Sequence, residues 1–240
     1  KETDLLDFDF EPELPAWAKF LTVFDLETTG LDVKTSRIVT ATVATLDPGG
    51  EVTELREWLV NPGIEIPEAA SNVHGVTTEM AQRDGLDPRT AVAEIIELLS
   101  QKNKEMPLVA FNAPYDFSIL KWEAERYLLS ALDPNPVIDP LVIDKQVDRY
   151  RKGKRNLGVM SEHYGIRLED AHNSTADAVA AGKIAQHLAR KFSELAISAK
   201  ELHQQQKLWS DQQSESFAEY LRKQNRPDYR AELGWPIKLT

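Results

Sequence analysis

The 240-residue chain is 42% hydrophobic and 28% charged, the balance of a globular protein with one ordinary domain and extensions. It has no cysteine, no apolar run near the roughly 18 residues that span a bilayer, and no basic-then-apolar leader. Disulfides, thiolate nucleophiles, cysteine-based zinc sites and a membrane partner are thereby excluded, and a reducing cytoplasm fits. The net charge of −11 argues against tight, sequence-independent binding along a duplex, which rests on a basic footprint. It leaves room for a small site where bound cations offset carboxylates and phosphates together.

Residues 1–17 read as a flexible acidic lead-in. The chain starts at Lys1 without Met, so part of the native start is expected to be missing. Lys19 to Glu27 is rich in β-branched and aromatic residues and reads as a strand, ended by a turn at Thr28-Thr29-Gly30. Arg37–Leu46 and Val52–Val60 read as two further strands joined by the Pro48-Gly49-Gly50 turn, which makes an antiparallel meander. From Pro88 to Ser100 the period becomes helical, with Val92, Ile95, Ile96 and Leu99 on one face. A short buried strand is expected at Leu108–Phe111, a helix from about Tyr115 to Leu129, and a second short strand at Val137-Ile138. Asp139 is placed to cap a helix that has Pro140 at its first position. Asn156–Tyr164 is expected as a short helix stopped by Gly165, Ser174–Arg190 as a long Ala-rich helix, and Ala196–Gln224 as a polar helix that either packs on the core or stands off as a handle. Strands alternating with helices in this second half imply parallel pairing.

Asp25 and Glu27 are two apart on a strand and therefore point to one face. Two like charges at the end of an apolar strand are costly unless something positive lies between them, and all-oxygen ligands favour Mg²⁺ or Mn²⁺. A pair of surface acids at a strand end is an equally good reading of Asp-x-Glu alone. Asp116 follows the apolar Val-Ala-Phe strand, at the carboxyl end where open α/β sheets place ligands; an acid favoured by a helix dipole would look the same. Ser174 is expected as the N-cap of the long helix, with Asp177 in its first turn as a site acid or as half of a capping box. His172, taken by itself, reads as a loop histidine.

Taken in order, the motifs resemble the DEDDh family of 3′→5′ exonucleases, which includes the proofreading epsilon subunit of bacterial replicative DNA polymerase, oligoribonuclease and ribonuclease T. They are Phe24-Asp-Leu-Glu-Thr-Thr-Gly30, Asn72-Val-His-Gly-Val-Thr77, Phe111-Asn-Ala-Pro-Tyr-Asp116 and His172 through Asp177. The likeness runs roughly from Lys19 to Arg190 and is nearest to the epsilon type. Phe111 stands where the family often has His, and Tyr115 where it often has Phe.

The resemblance implies a ribonuclease H-like α/β fold, with three antiparallel strands, then parallel strands, and helices on both faces. It implies an exonuclease domain over 18–192 and a helical extension over 193–240. It implies two metal ions, Mg²⁺ or Mn²⁺, held by Asp25, Glu27, Asp116 and Asp177, with His172 as general base and a nucleoside 5′-monophosphate as product. Thr28, Thr29, Gly30, His74 and Asn112 would contact the terminal nucleotide. The expected partners are single-stranded or frayed 3′ ends of DNA, with RNA trimming as the enzyme alternative and a non-catalytic polymerase-associated module as a weaker one. A polymerase or sliding clamp is a further expected partner. Gln212–Phe217 faintly resembles a clamp-binding peptide, although a plain polar helix explains it better. The dense basic run Arg149, Arg151, Lys152, Lys154 and Arg155 is either a phosphate contact or a solvated loop.

Overall fold

The structure, a computed structural model, describes residues 12–239, so most of the expected acidic lead-in lies outside the described residues. Five strands form one mixed sheet in the order β3-β2-β1-β4-β5. Strands β1 (Leu21–Thr28), β2 (Ile38–Leu46) and β3 (Val52–Leu59) are antiparallel, and β4 (Leu108–Val109) and β5 (Val137–Ile138) continue beside β1 in parallel. Helices cover both faces, as the resemblance implied.

The alternation of β1 divides the core. Phe24 and Leu26 face the cluster that includes Val92, Ile95 and Leu99 of α4 (Pro88–Asn103) and Phe117 and Leu120 of α5 (Ala113–Arg126). Leu21 and Val23 face the cluster built on α8 (Ser174–Lys191). Asp25 and Glu27 continue the α8 face by the two-residue period of a strand. Gly182 sets the depth of α8: a Cβ there would stand 2.5 Å from both Val23 Cγ1 and Leu46 Cδ1. Only a residue without a side chain lets the helix lie this low on the sheet.

Several boundaries move for local reasons. The strand expected over Leu108–Phe111 keeps only two residues, because Asn112 turns into the left-handed region at φ 57. Asp139 then accepts hydrogen bonds from the Asn112 and Ala113 backbone N–H groups at 3.0 and 2.9 Å. Helix α5 therefore starts two residues before Tyr115 and ends at Arg126 rather than Leu129. Asn173, not Ser174, caps α8, accepting from the N–H groups of Thr175 and Ala176. Helices α2 (Glu68–His74) and α3 (Thr78–Asp84) went unpredicted; α2 buries no residue and α3 buries only Ala81, so neither has an apolar stripe to read.

The C-terminal helix α9 (Ala199–Lys223) packs against the sheet edge instead of standing off as a handle. His203 Nδ1 accepts from the Val137 N–H at 2.9 Å. Gln206 accepts from the Asp139 N–H at 2.7 Å and donates to the Val137 carbonyl at 2.9 Å. These side chains satisfy the open edge of β5 much as another strand would. The tail returns to bury Trp235, whose indole N–H donates to Asp139 at 3.2 Å.

Candidate active site

Asp25 and Glu27 stand at the carboxyl end of β1, just before a bulge between Glu27 and Thr28. Bulges re-aim side chains at the ends of pairing. The first turn of α8 brings Asp177 to the same place, and one carboxylate oxygen from each of the three lies within 4.8 Å of the others. Asp25 Oδ2 is buried with no hydrogen-bond partner. Asp116 is buried beneath them, its Oδ1 accepting from the Leu26 N–H at 3.0 Å. That bond fixes Asp116 against the backbone between Asp25 and Glu27, outside the three-oxygen convergence.

Burial raises all four carboxyl groups above their ordinary range. For Asp25, Asp116, Glu27 and Asp177 add repulsion. Glu27 is pushed up to about 8 by burial and by Asp177. Burial of Asp116 outweighs the stabilising backbone N–H groups, and burial of Asp177 outweighs its contacts with His172. A buried acceptor without a partner is rare and needs a reason. An all-oxygen set with an orphaned oxygen and mutual repulsion is what a hard divalent cation satisfies. The residues fit such an ion.

Helix α8 is seated by a hydroxyl ladder. Thr42 Oγ1 lies 2.8 Å from both Ser174 Oγ and Thr175 Oγ1, so β2 holds the turn that carries Asp177. His172 precedes the cap on an exposed loop in the left-handed region, at φ 70. Its backbone N–H points to Asp177 Oδ1 at 3.4 Å. His172 is not among the residues that line the cleft.

The Thr28-Thr29-Gly30 turn has most of its polar groups already engaged. Thr28 Oγ1 lies 2.6 Å from the Tyr115 hydroxyl, and Tyr115 donates to the Gly30 carbonyl at 2.7 Å. Thr29 Oγ1 accepts from the Arg37 N–H at 2.9 Å. His74 Nδ1 accepts from the Val76 N–H, which leaves Nε2 as the protonated nitrogen that donates to the Thr28 carbonyl at 3.2 Å. These contacts brace the turn, and Tyr115 also lines the cleft. Asn112 lines the cleft itself. Tyr115, the departure from the usual Phe, cross-links the first motif to α5.

The acids open into a cleft of about 680 Å³, also walled by Phe111, Leu141, Lys145 and Phe217. Lys145 was not singled out from the sequence, since one Lys on a helix carries no signal. Although Lys145 is exposed, partial desolvation lowers its pKa, with Arg155 adding and Asp139 and Asp144 opposing. The basic run divides in two. Arg151 and Arg155 turn inward to the buried Asp144, whereas Arg149, Lys152 and Lys154 are exposed. Gln212–Phe217 is part of α9, and Gln213 donates to the Val142 carbonyl at 3.0 Å, so the segment is a docked helix and not an extended peptide.

The family model described as exonuclease, RNase_T, matches residues 22–185. A PolC-type DNA polymerase III of Lacticaseibacillus paracasei is 26% identical over 185 residues, 77% of this chain and 12% of that protein. A DNA polymerase III subunit epsilon-like protein of Rhodobacter capsulatus is 32% identical over 162 residues, 66% of this chain and 22% of that protein. The chain thus spans less than a quarter of the length of these relatives. Exonuclease I of E. coli in complex with a dT13 oligonucleotide superimposes with a TM-score of 0.60 at 17% identity, over 70% of this chain and 40% of that one. That likeness confirms the fold.

Proposed function

The chain belongs to the exonuclease family RNase_T, and from that premise we propose that it hydrolyses DNA from the 3′ end in a divalent-metal-dependent reaction, releasing nucleoside 5′-monophosphates in proofreading or repair. The observation that carries the reading is the convergence of Asp25, Glu27 and Asp177 around a buried, unpartnered Asp25 oxygen.

In this reading Asp25, Glu27 and Asp177 hold Mg²⁺ or Mn²⁺, and Asp116, set slightly apart, serves a second ion. Bound there, the metal would acidify a water and offset the charge of the phosphodiester. His172 takes the proton of the attacking water on its imidazole, as general base. Its left-handed backbone is a local cost of the kind that collects at working sites. Asn112, on the cleft wall, and the braced Thr28–Gly30 turn position the terminal nucleotide. The relatives named as DNA polymerase III proteins support a DNA substrate, association with a polymerase and a cytoplasmic site of action. The helical, docked state of Gln212–Phe217 gives no support to clamp binding through that segment.

The test is digestion of matched DNA and RNA oligonucleotides with Mg²⁺ or Mn²⁺, with the products separated by chromatography. Nucleoside 5′-monophosphates released preferentially from DNA bear the proposal out. Preference for RNA moves the chain to oligoribonucleotide trimming, and 3′-monophosphate products overturn the reaction as written.

A further inference from the structure

Beside the catalytic cleft lies a second groove of about 600 Å³ between the end of α6 (Pro140–Val147) and α9. The two share Lys145 and Phe217 in their walls, so the groove adjoins the cleft that holds the acids. Its other lining residues are Gln146, Arg149, Gln212, Gln213, Ser216 and Tyr220, and none of the residues lining it is acidic. In a chain with 39 acidic and 28 basic residues, such a lining reverses the general sign of the surface. Among the described residues, neither Lys145 nor Arg149 has a carboxylate within ion-pair distance. Phe217 and Tyr220 are 53% and 58% exposed, although by helical period they continue the stripe of α9 that is docked through Leu202 and Gln206. That docking fixes where both rings stand.

We propose that this groove is the track along which the single strand approaches the active site, with Phe217 and Tyr220 stacking its bases and Lys145 and Arg149 meeting its phosphates. Single strands are held without sequence preference by this combination, aromatic platforms beside a cationic path. The site lies largely on α9, beyond the residues matched by the family model. The inference rests on the exonuclease reading for its direction toward the acids, and binding tests it apart from hydrolysis.

The experiment is fluorescence anisotropy with labelled oligothymidylates of 2, 4, 8 and 12 nucleotides in EDTA, on the full chain. Wild-type affinity should rise with length beyond four nucleotides. Phe217→Ala and Tyr220→Ala should each weaken dodecamer binding about tenfold, in the range of one lost base stack. Phe217→Trp should bind like wild type, and Arg149→Glu should weaken binding and flatten its salt dependence. Circular dichroism verifies that each variant is folded; the exposure of both rings makes that the expected result. Dodecamer affinity equal to wild type in Phe217→Ala, Tyr220→Ala and Arg149→Glu would overturn the track, as would wild-type affinity that does not rise with length. If the variants weaken binding while the wild type hydrolyses nothing in Mg²⁺ or Mn²⁺, the track stands and the exonuclease reading falls.

Discussion

Asp25 on β1 and Asp177 on the first turn of α8 place carboxylate oxygens within 4.8 Å of one another, with Glu27 completing the set. Their repulsion makes stability depend on pH. Glu27 titrates near 8 in the folded chain against an ordinary 4.5, and burial moves Asp25 and Asp177 the same way. Between about 4.5 and 8 the folded state therefore holds protons that the unfolded chain has released, so stability falls as pH rises. In EDTA the melting temperature should drop from pH 5.5 to pH 8. Added Mn²⁺ should raise it, and more at pH 8 than at pH 5.5, because the metal competes with those protons. A metal effect independent of pH would disconnect the shifted carboxyls from the binding site.

His172→Ala should lower kcat by about 10²–10⁴-fold, the usual contribution of a general base. Its imidazole is outside the three-oxygen cluster, so the Mn²⁺ affinity measured by calorimetry should stay within about twofold. A variant with wild-type turnover would remove His172 from the chemistry.

Thr42→Val deletes the hydroxyl that holds Ser174 and Thr175 and leaves a near-isosteric side chain. Ser174 keeps Thr40 and the half-buried Thr175 keeps Glu57 as partners, so the loss should cost only about 0.5–1.5 kcal/mol, read from urea denaturation. Loosening the turn that carries Asp177 should also weaken Mn²⁺ binding by about 10–100-fold, as loss of groups that orient metal ligands does. Unchanged metal affinity would show that α8 is seated by packing alone, through contacts such as Gly182 on Val23.

His203 ties α9 to the edge of β5. Burial, with Lys207 adding and Asp133 opposing, lowers its pKa to about 4 from an ordinary 6.5. Its contribution is whole above 6.5, and stability is lost as pH falls from there toward 4, because only the unfolded chain takes the proton in that window. Trp235 lies with its ring 5.0 Å from the imidazole. Tryptophan fluorescence should therefore report α9 loosening between pH 6 and pH 4, and His203→Asn, which keeps an acceptor for the Val137 N–H, should remove that pH dependence.

The meander, the long α8 and the acids on β1 were legible because strand alternation and motif order are written locally. Asp25 and Glu27 share a face by the period of two, and Asp177 is fixed by its place in the first turn of a helix. Other features depend on contacts distant in sequence. The early start of α5 is dictated by Asp139, which gathers the N–H groups of Asn112 and Ala113. The replacement of Ser174 by Asn173 as cap follows from the recruitment of Ser174 by Thr42. Phe217 reaches the cleft only because α9 docks on β5. The short α2 and α3 had no periodicity to show.

The most direct test is a time course of a 5′-labelled single-stranded DNA oligonucleotide with Mg²⁺ or Mn²⁺, comparing wild type with Asp25→Asn. The substitution neutralises the buried oxygen that has no partner, so the variant should be at least as stable as wild type in EDTA. The expected result is a ladder shortening from the 3′ end in the wild type, abolished by EDTA and reduced more than about a hundredfold in the folded variant, beyond what loss of a mere orienting group causes. A ladder of wild-type rate from Asp25→Asn, or one that survives EDTA, would contradict the metal-dependent exonuclease assigned to these acids.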